Sequence, residues 1–134
     1  MSETTYLERA ARVKLMIFDV DGVLTDGSLH YGADLGIGFL HQGGHDKLTP
    51  FNALLEKTGL TTEQVGFIGD DIVDLPILTR VGFAVAVPGG RKEVLERAHH
   101  VTVAQGGRGA VREVCELMLH AQGTYERVLA QFMV

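Results

Sequence analysis

The sequence is poor in several features that would narrow its function. It has one cysteine, Cys115, in 134 residues. No disulfide can close within the chain, and a reducing compartment, the cytoplasm, is the expected location. Cations are outnumbered, with 12 Lys and Arg against 17 Asp and Glu and a formal net charge of −5. That balance argues against nucleic acid or an anionic membrane as the main partner, and any anionic substrate needs a local pocket of positive charge. No apolar run approaches the ~20 residues that cross a bilayer. The opening stretch MSETTYLERAARVK is polar and mixed in charge, unlike a signal peptide. There is no G-x-x-x-x-G-K-[ST] stretch, so P-loop nucleotide hydrolysis lacks its cradle. Repeats, linkers and low-complexity segments are also missing.

What is present is an ordinary globular composition, 46% hydrophobic and 22% charged. It suits one domain over 1–134, with a core from 12–123 and a C-terminal helix or tail at 124–134. Residues 14–20 are apolar without alternation and read as a strand buried on both faces. Further strands are expected at 37–41, 65–68, 83–87 and 100–103. Helices are expected at 3–11, 47–57, 72–80, 91–98, 109–121 and 124–133. Pro50 is tolerable in the first turn of its helix, Gly59 ends that helix, and Thr61 with Gln64 offers a cap. Residues 21–36 read as loop, with a small ribbon at 28–31. Strands alternating with helices imply a mostly parallel sheet covered on both faces, whose site lies at the carboxyl ends of the strands.

Acidic residues gather at two such ends. Asp19 and Asp21 follow the first strand and, two apart in extended backbone, point to one face. Asp70, Asp71 and Asp74 follow the strand at 65–68. Either cluster alone reads as loop acid or helix cap. Together, on neighbouring strands, they bring up to four carboxylates to one place. Like charges so close repel unless compensated. A hard divalent cation is the simplest compensation, and magnesium suits few carboxylates with water and phosphate.

The segments DVDGVLTDG and GDDIVDLP resemble the first and last motifs of the haloacid dehalogenase-like phosphatases. GGRGAVREVCELML and QGGHDKLTPFNALLEKTGLTTEQVGFIGDD are similar to the small, capless branch of that family acting on 3-deoxy-D-manno-octulosonate 8-phosphate. The likeness runs from about residue 14 to 123. It implies a three-layer Rossmann-like fold, a magnesium-dependent phosphomonoesterase, a phosphorylated sugar acid as substrate, and a homotetramer whose C-terminal tail can reach an adjacent site. Carried over residue by residue, Asp19 would be the nucleophile, and Asp21 would protonate the leaving oxygen and then activate water. Asp70, with Asp19 and the backbone carbonyl of Asp21, would hold magnesium. Asp71 and Asp74 would be outer ligands or orient the inner ones. Lys47 would pair with Asp19 and the phosphate. Gly22 would offer a backbone N–H to the phosphate. Arg108, in a Gly-rich loop, reads as a candidate to bind the sugar carboxylate or the phosphate, of its own or of a neighbouring subunit.

One part of the family pattern is missing. Its second motif, an apolar strand ending in Thr or Ser, has no counterpart, and Thr25 is no obvious substitute. The chain passes from Asp34 to Leu35 where a strand–helix unit is expected, so an internal deletion is inferred. The strand at 37–41 must then return by bare loop or pair antiparallel, because a parallel pair usually needs a helical crossover. Lys47 reaches the Asp19 end only if the pairing is parallel. The deletion also motivates other readings: a non-catalytic binding or oligomerising protein of the same ancestry, or a nonulosonate 9-phosphate phosphatase.

The remaining polar candidates weigh less. His99 and His100 are adjacent on a strand and face opposite ways, so they make no metal pair. His41 and His45 flank QGG near the expected site and are candidates to touch substrate. Arg112 reads as a solvated helix residue and Cys115 as inert core. Val111, Val114, Leu117 and Met118 read as a core stripe. Tyr125, Val128, Leu129 and Phe132 either fold back or pack on a neighbour.

Overall fold

The computed structural model describes residues 3–18, 37–38 and 46–133. Among these residues five strands form one parallel sheet in the order β2-β1-β3-β4-β5. They are β1 (Leu15–Phe18), β2 (Ile37–Gly38), β3 (Val65–Gly69), β4 (Phe83–Ala86) and β5 (His100–Val101). The helices are α1 (Glu3–Ala11), α2 (Leu48–Thr58), α3 (Leu75–Leu78), α4 (Lys92–Arg97), α5 (Ala110–Ala121) and α6 (Tyr125–Ala130). β2 runs parallel to β1, with Met16 opposite Ile37, the pairing that the position of Lys47 required.

The apolar runs of the strands are unbroken because both sheet faces are covered, and the pleat sorts them. Met16, Phe18, Ile68, Phe83 and Val85 point to the face covered by α1 and α5, where they meet Ala10, Ala110 and Val114. Ile17, Val65, Phe67, Ala84 and Ala86 point to the other face, packing with Phe51, Ile77, Leu78 and Val94 from α2, α3 and α4. Three fully buried phenylalanines, Phe51, Phe67 and Phe83, are the largest core side chains among the described residues. Burying each contributes ~1.5–3 kcal/mol. A Cβ at Gly66, where β1 and β3 meet, would crowd the Met16 sulfur and force that side chain to shift.

Local signals act as their chemistry dictates. Asp46 accepts bonds from the Thr49 backbone N–H at 3.1 Å and its hydroxyl at 2.6 Å. These bonds, the hydroxyl's foremost, hold the Asp46 carboxyl below its usual range. Gly59 ends α2 at φ 71°, its N–H donated to the Leu55 carbonyl, and Thr61 and Gln64 form a reciprocal cap on a short 3₁₀ turn. On the α1–α5 face, Gln122 donates from Nε2 to the carbonyls of Ala10 (3.3 Å) and Val13 (2.8 Å), tying the end of α5 to the entry of β1.

Three expectations need correction. The helix expected over 72–80 is a 3₁₀ turn at Ile72–Asp74 followed by α3. The carboxylates of Asp71 and Asp74 take the first backbone donors, and Pro76 has none to give. The strand expected to reach 103 stops at Val101, because the N–H groups of Val103 and Ala104 turn to Glu113. The helix expected over 124–133 ends at Ala130 and buries no residue. It folds back at Tyr125, which stacks on His120 at 3.9 Å, and at the partly buried Val128, while Phe132 and Met133 remain 79% and 76% exposed. The loop and ribbon expected within 21–36 lie outside the described residues.

Candidate active site

Parallel pairing sends β1 and β3 out of the sheet at one edge. Phe18 is opposite Ile68 and Gly69 opposite Ala86. Beyond Phe18 the sequence continues into Asp19, Asp21 and Gly22, which lie outside the described residues, as do Thr25, His41 and His45. Beyond Gly69 the chain enters Asp70.

The turn after β3 is built around Asp74. Its carboxylate is fully buried. Oδ2 accepts from the backbone N–H of Asp70 at 3.1 Å and of Asp71 at 3.2 Å, and Oδ1 receives the Lys47 ammonium at 2.6 Å. A buried carboxylate is tolerable only when so compensated. Gly69 makes the room: a Cβ there would lie 2.6 Å from Asp74 Oδ2. Asp71 faces solvent and caps Ile72 at 2.7 Å. The Asp70 carbonyl accepts from the Arg91 N–H at 2.8 Å. Asp70 is thus held on both sides of its backbone, by Asp74 and by the turn after β4, at the edge of the sheet.

Structure and sequence reading therefore meet at Lys47, Asp70, Asp71 and Asp74, which the fold brings together. Lys47 was expected to pair with Asp19 and phosphate; its partner among the described residues is Asp74. Arg108 stands apart on the exposed Gly-rich turn after β5, where Gly107 (φ 72°) and Gly109 (φ 108°) adopt left-handed backbone. Gln105 of that turn approaches the turn after β4, its Oε1 3.3 Å from where a Cβ on Gly89 would sit. The donors at hand for a metal are carboxylate oxygens, which fit magnesium. Among the described residues no three His, Cys, Asp or Glu side chains gather closely enough to hold an ion by themselves.

The two histidines have separate structural duties. His99 Nδ1 accepts the Ala84 N–H at 2.8 Å, and burial, aided by Arg9, pushes its pKa below the usual value. His100 stacks on Tyr6 at 4.5 Å, with Nε2 3.8 Å from Glu113 Oε2. Burial lowers the His100 pKa more strongly than Glu113 raises it, so the contact is that of a neutral imidazole near pH 7. Cys115 is pushed up to about 11, chiefly by burial, in keeping with an inert thiol. Arg112 is exposed and pairs with Glu116 at 3.0 Å. Glu113, which grips the turn carrying Arg108, was missed in the sequence because an acid in the first turn of a helix looks like ordinary dipole compensation.

Comparison with known proteins bears on what this edge does. Residues 33–113 match the family described as haloacid dehalogenase-like hydrolase. The chain is 35% identical over 170 residues to 3-deoxy-D-manno-octulosonate 8-phosphate phosphatase of Salmonella typhi, covering 96% of this chain and 90% of that protein. Among solved structures it is similar to the phosphatase of the same name from Yersinia pestis, with TM-score 0.83, 32% identity and coverage of 91% and 89% of the two chains. It is also similar to the Moraxella catarrhalis phosphatase of that name in complex with magnesium, phosphate and KDO, with TM-score 0.86, 29% identity and coverage of 98% and 99%. The Salmonella typhi alignment spans 170 residues and this chain has 134, so at least 36 (170 less 134) positions of that relative have no counterpart here.

Proposed function

We propose that this chain, which belongs to the haloacid dehalogenase-like hydrolases, hydrolyses a sugar-acid phosphate monoester, 3-deoxy-D-manno-octulosonate 8-phosphate, through an aspartyl-phosphate on Asp19. The observation that carries this reading is the Lys47–Asp74 ion pair at 2.6 Å. It fixes a cation and the backbone of Asp70 at the sheet edge where β1 ends at Phe18, the residue before Asp19 in the sequence.

In the proposed cycle the Asp19 carboxylate attacks phosphorus as the sugar oxygen departs, and Asp21 gives that oxygen its proton. Asp21 then takes a proton from water, whose oxygen attacks the acyl-phosphate. Inorganic phosphate leaves and the Asp19 carboxylate is regenerated. Lys47, oriented by Asp74, offers its ammonium to the phosphoryl oxygens, where charge is spread during transfer. Gly22 donates its N–H to the phosphate, and Arg108 pairs with the sugar carboxylate. Asp70, Asp19 and the Asp21 carbonyl would hold magnesium, which when bound neutralises phosphoryl charge; Asp71 and Asp74 support that set. Cytoplasmic location and assembly into a homotetramer belong to the same proposal.

Phosphate release from 3-deoxy-D-manno-octulosonate 8-phosphate tests the reading. The expected result is release that requires magnesium and is lost in Asp19→Asn. Equal release from wild type and Asp19→Asn would overturn it. The unmatched positions of the alignment favour a second reading, an impaired homologue that binds but barely turns over; the inferred deletion lies between Asp34 and Leu35. Phosphate binding by calorimetry with no release above the Asp19→Asn blank would favour this second reading.

A further inference from the structure

The turn that carries Arg108 is anchored by the Glu113 carboxylate. Glu113, in the first turn of α5, accepts the Val103 N–H at 2.9 Å on Oε2 and the Ala104 N–H at 2.9 Å on Oε1. Within the turn, the Thr102 hydroxyl donates to the Ala104 carbonyl at 2.7 Å and the Arg108 N–H to the Gln105 carbonyl at 3.0 Å. Two left-handed glycines, 107 and 109, flank Arg108. Glycine backbone loses the most conformational freedom on ordering, so this turn depends on its anchors for a fixed shape. Charge-assisted bonds of this kind are about twice as strong as neutral ones.

The anchored turn also lies beside the other strand exits. Gln105 reaches the turn after β4 at Gly89, and the next part of that turn donates the Arg91 N–H to the Asp70 carbonyl. The exits of β3, β4 and β5 therefore lean on one another in succession along the carboxyl edge.

We infer that Glu113 is a positioning residue for substrate recognition: its carboxylate fixes the turn at 102–109 so that Arg108 is presented to the acid group of the substrate. Glu113 touches no reacting atom in this account and acts only through Arg108. The inference rests on the proposed phosphatase reading and extends it to a residue outside the catalytic set.

The test compares wild type, Glu113→Ala, Glu113→Gln, Arg108→Ala and the double variant Glu113→Ala/Arg108→Ala. Each is assayed on 3-deoxy-D-manno-octulosonate 8-phosphate and on p-nitrophenyl phosphate, which has no carboxylate. Glu113→Ala is expected to raise KM for the sugar-acid phosphate about tenfold with kcat within about threefold, and to leave the aryl phosphate unchanged. Glu113→Gln keeps one carbonyl acceptor and is expected to fall between; it also keeps the test open if the alanine variant fails to fold. The double variant is expected to match Arg108→Ala alone, since two residues acting through one contact are not additive. Additive effects, or equal losses on both substrates, would overturn the inference. Failure of the underlying reading looks different: wild type itself then releases no phosphate from either substrate, and the inference goes with it.

Discussion

Two carboxylates shape two exits from the same sheet, and they do so differently. Asp74 and Glu113 each accept two successive backbone N–H groups, those of Asp70 and Asp71 in one case and of Val103 and Ala104 in the other. Each also has a basic side chain beside it. Asp74 is fully buried and its partner is Lys47 at 2.6 Å, while the Glu113 side chain is 27% exposed and its neighbour is His100 at 3.8 Å. A lysine ordinarily keeps its charge across the physiological range, whereas a histidine does not. The exit of β3 is thus locked by a buried ion pair and that of β5 by hydrogen bonds to a partly exposed carboxylate beside a titratable neighbour. The rigid exit belongs to the expected chemical centre, and the softer one to the residue expected to read the substrate.

The largest effect should come from breaking the first lock. Asp74→Ala or Lys47→Met leaves a buried group without its partner and is expected to cost ~3–5 kcal/mol in urea denaturation. The double variant Lys47→Met/Asp74→Asn should recover much of that stability with no recovery of phosphatase activity. A double variant as unstable as the worse single one would show that the pair contributes more than charge balance. Next, Gly69→Ala forces a methyl against the Asp74 carboxylate and Phe67, an overpacking expected to cost ~1–3 kcal/mol by the same measurement. A silent Gly69→Ala would mean that this turn is less rigid than described. Glu113→Gln, on the softer exit, should cost less, ~1–2 kcal/mol, with faster amide exchange at Val103 and Ala104 as the local readout.

The smallest effect is in pH. The pKa values of His99 and His100 are both lowered by burial, so the folded protein prefers them neutral. Below their ordinary value of 6.5 the unfolded chain takes up the protons first. The stability they contribute is therefore full above that value and is lost as pH falls through their lowered folded values. Protonation of His99 at Nδ1 would also remove the acceptor for the Ala84 N–H. The midpoint of thermal unfolding should drop from pH 7.5 to pH 5, and less so in His99→Gln. An unchanged midpoint over that interval would contradict the buried, neutral assignment.

Much of the molecule was legible in residues whose meaning is local. The unbroken apolar runs marked parallel strands because both faces of the sheet are covered. Gly59 and the Thr61–Gln64 pair marked chain reversals because only particular backbone or side-chain chemistry satisfies a helix end. Lys47 predicted a parallel β2 on functional grounds, and that pairing is present. Asp70, Asp71 and Asp74 were legible as a cluster, and Asp19 and Asp21 as its expected counterpart lie outside the described residues. The wiring of the cluster was not legible. That Asp74 would take Lys47 follows from the depth to which the turn sinks, which Gly69 permits and no periodicity reveals. Glu113 was invisible for a similar reason: its targets are backbone groups of a loop nine or ten residues away, and backbone donors leave no mark in a sequence.

The hydrogen bonds from Gln122 to Ala10 and Val13 have a consequence for the order of assembly. During synthesis the two carbonyls leave the ribosome more than a hundred residues ahead of their partner. Until then the first strand enters the sheet without its mooring, and the face it shares with α5 stays open to water. The nascent chain is thus expected to remain protease-sensitive around β1 until α5 has been made.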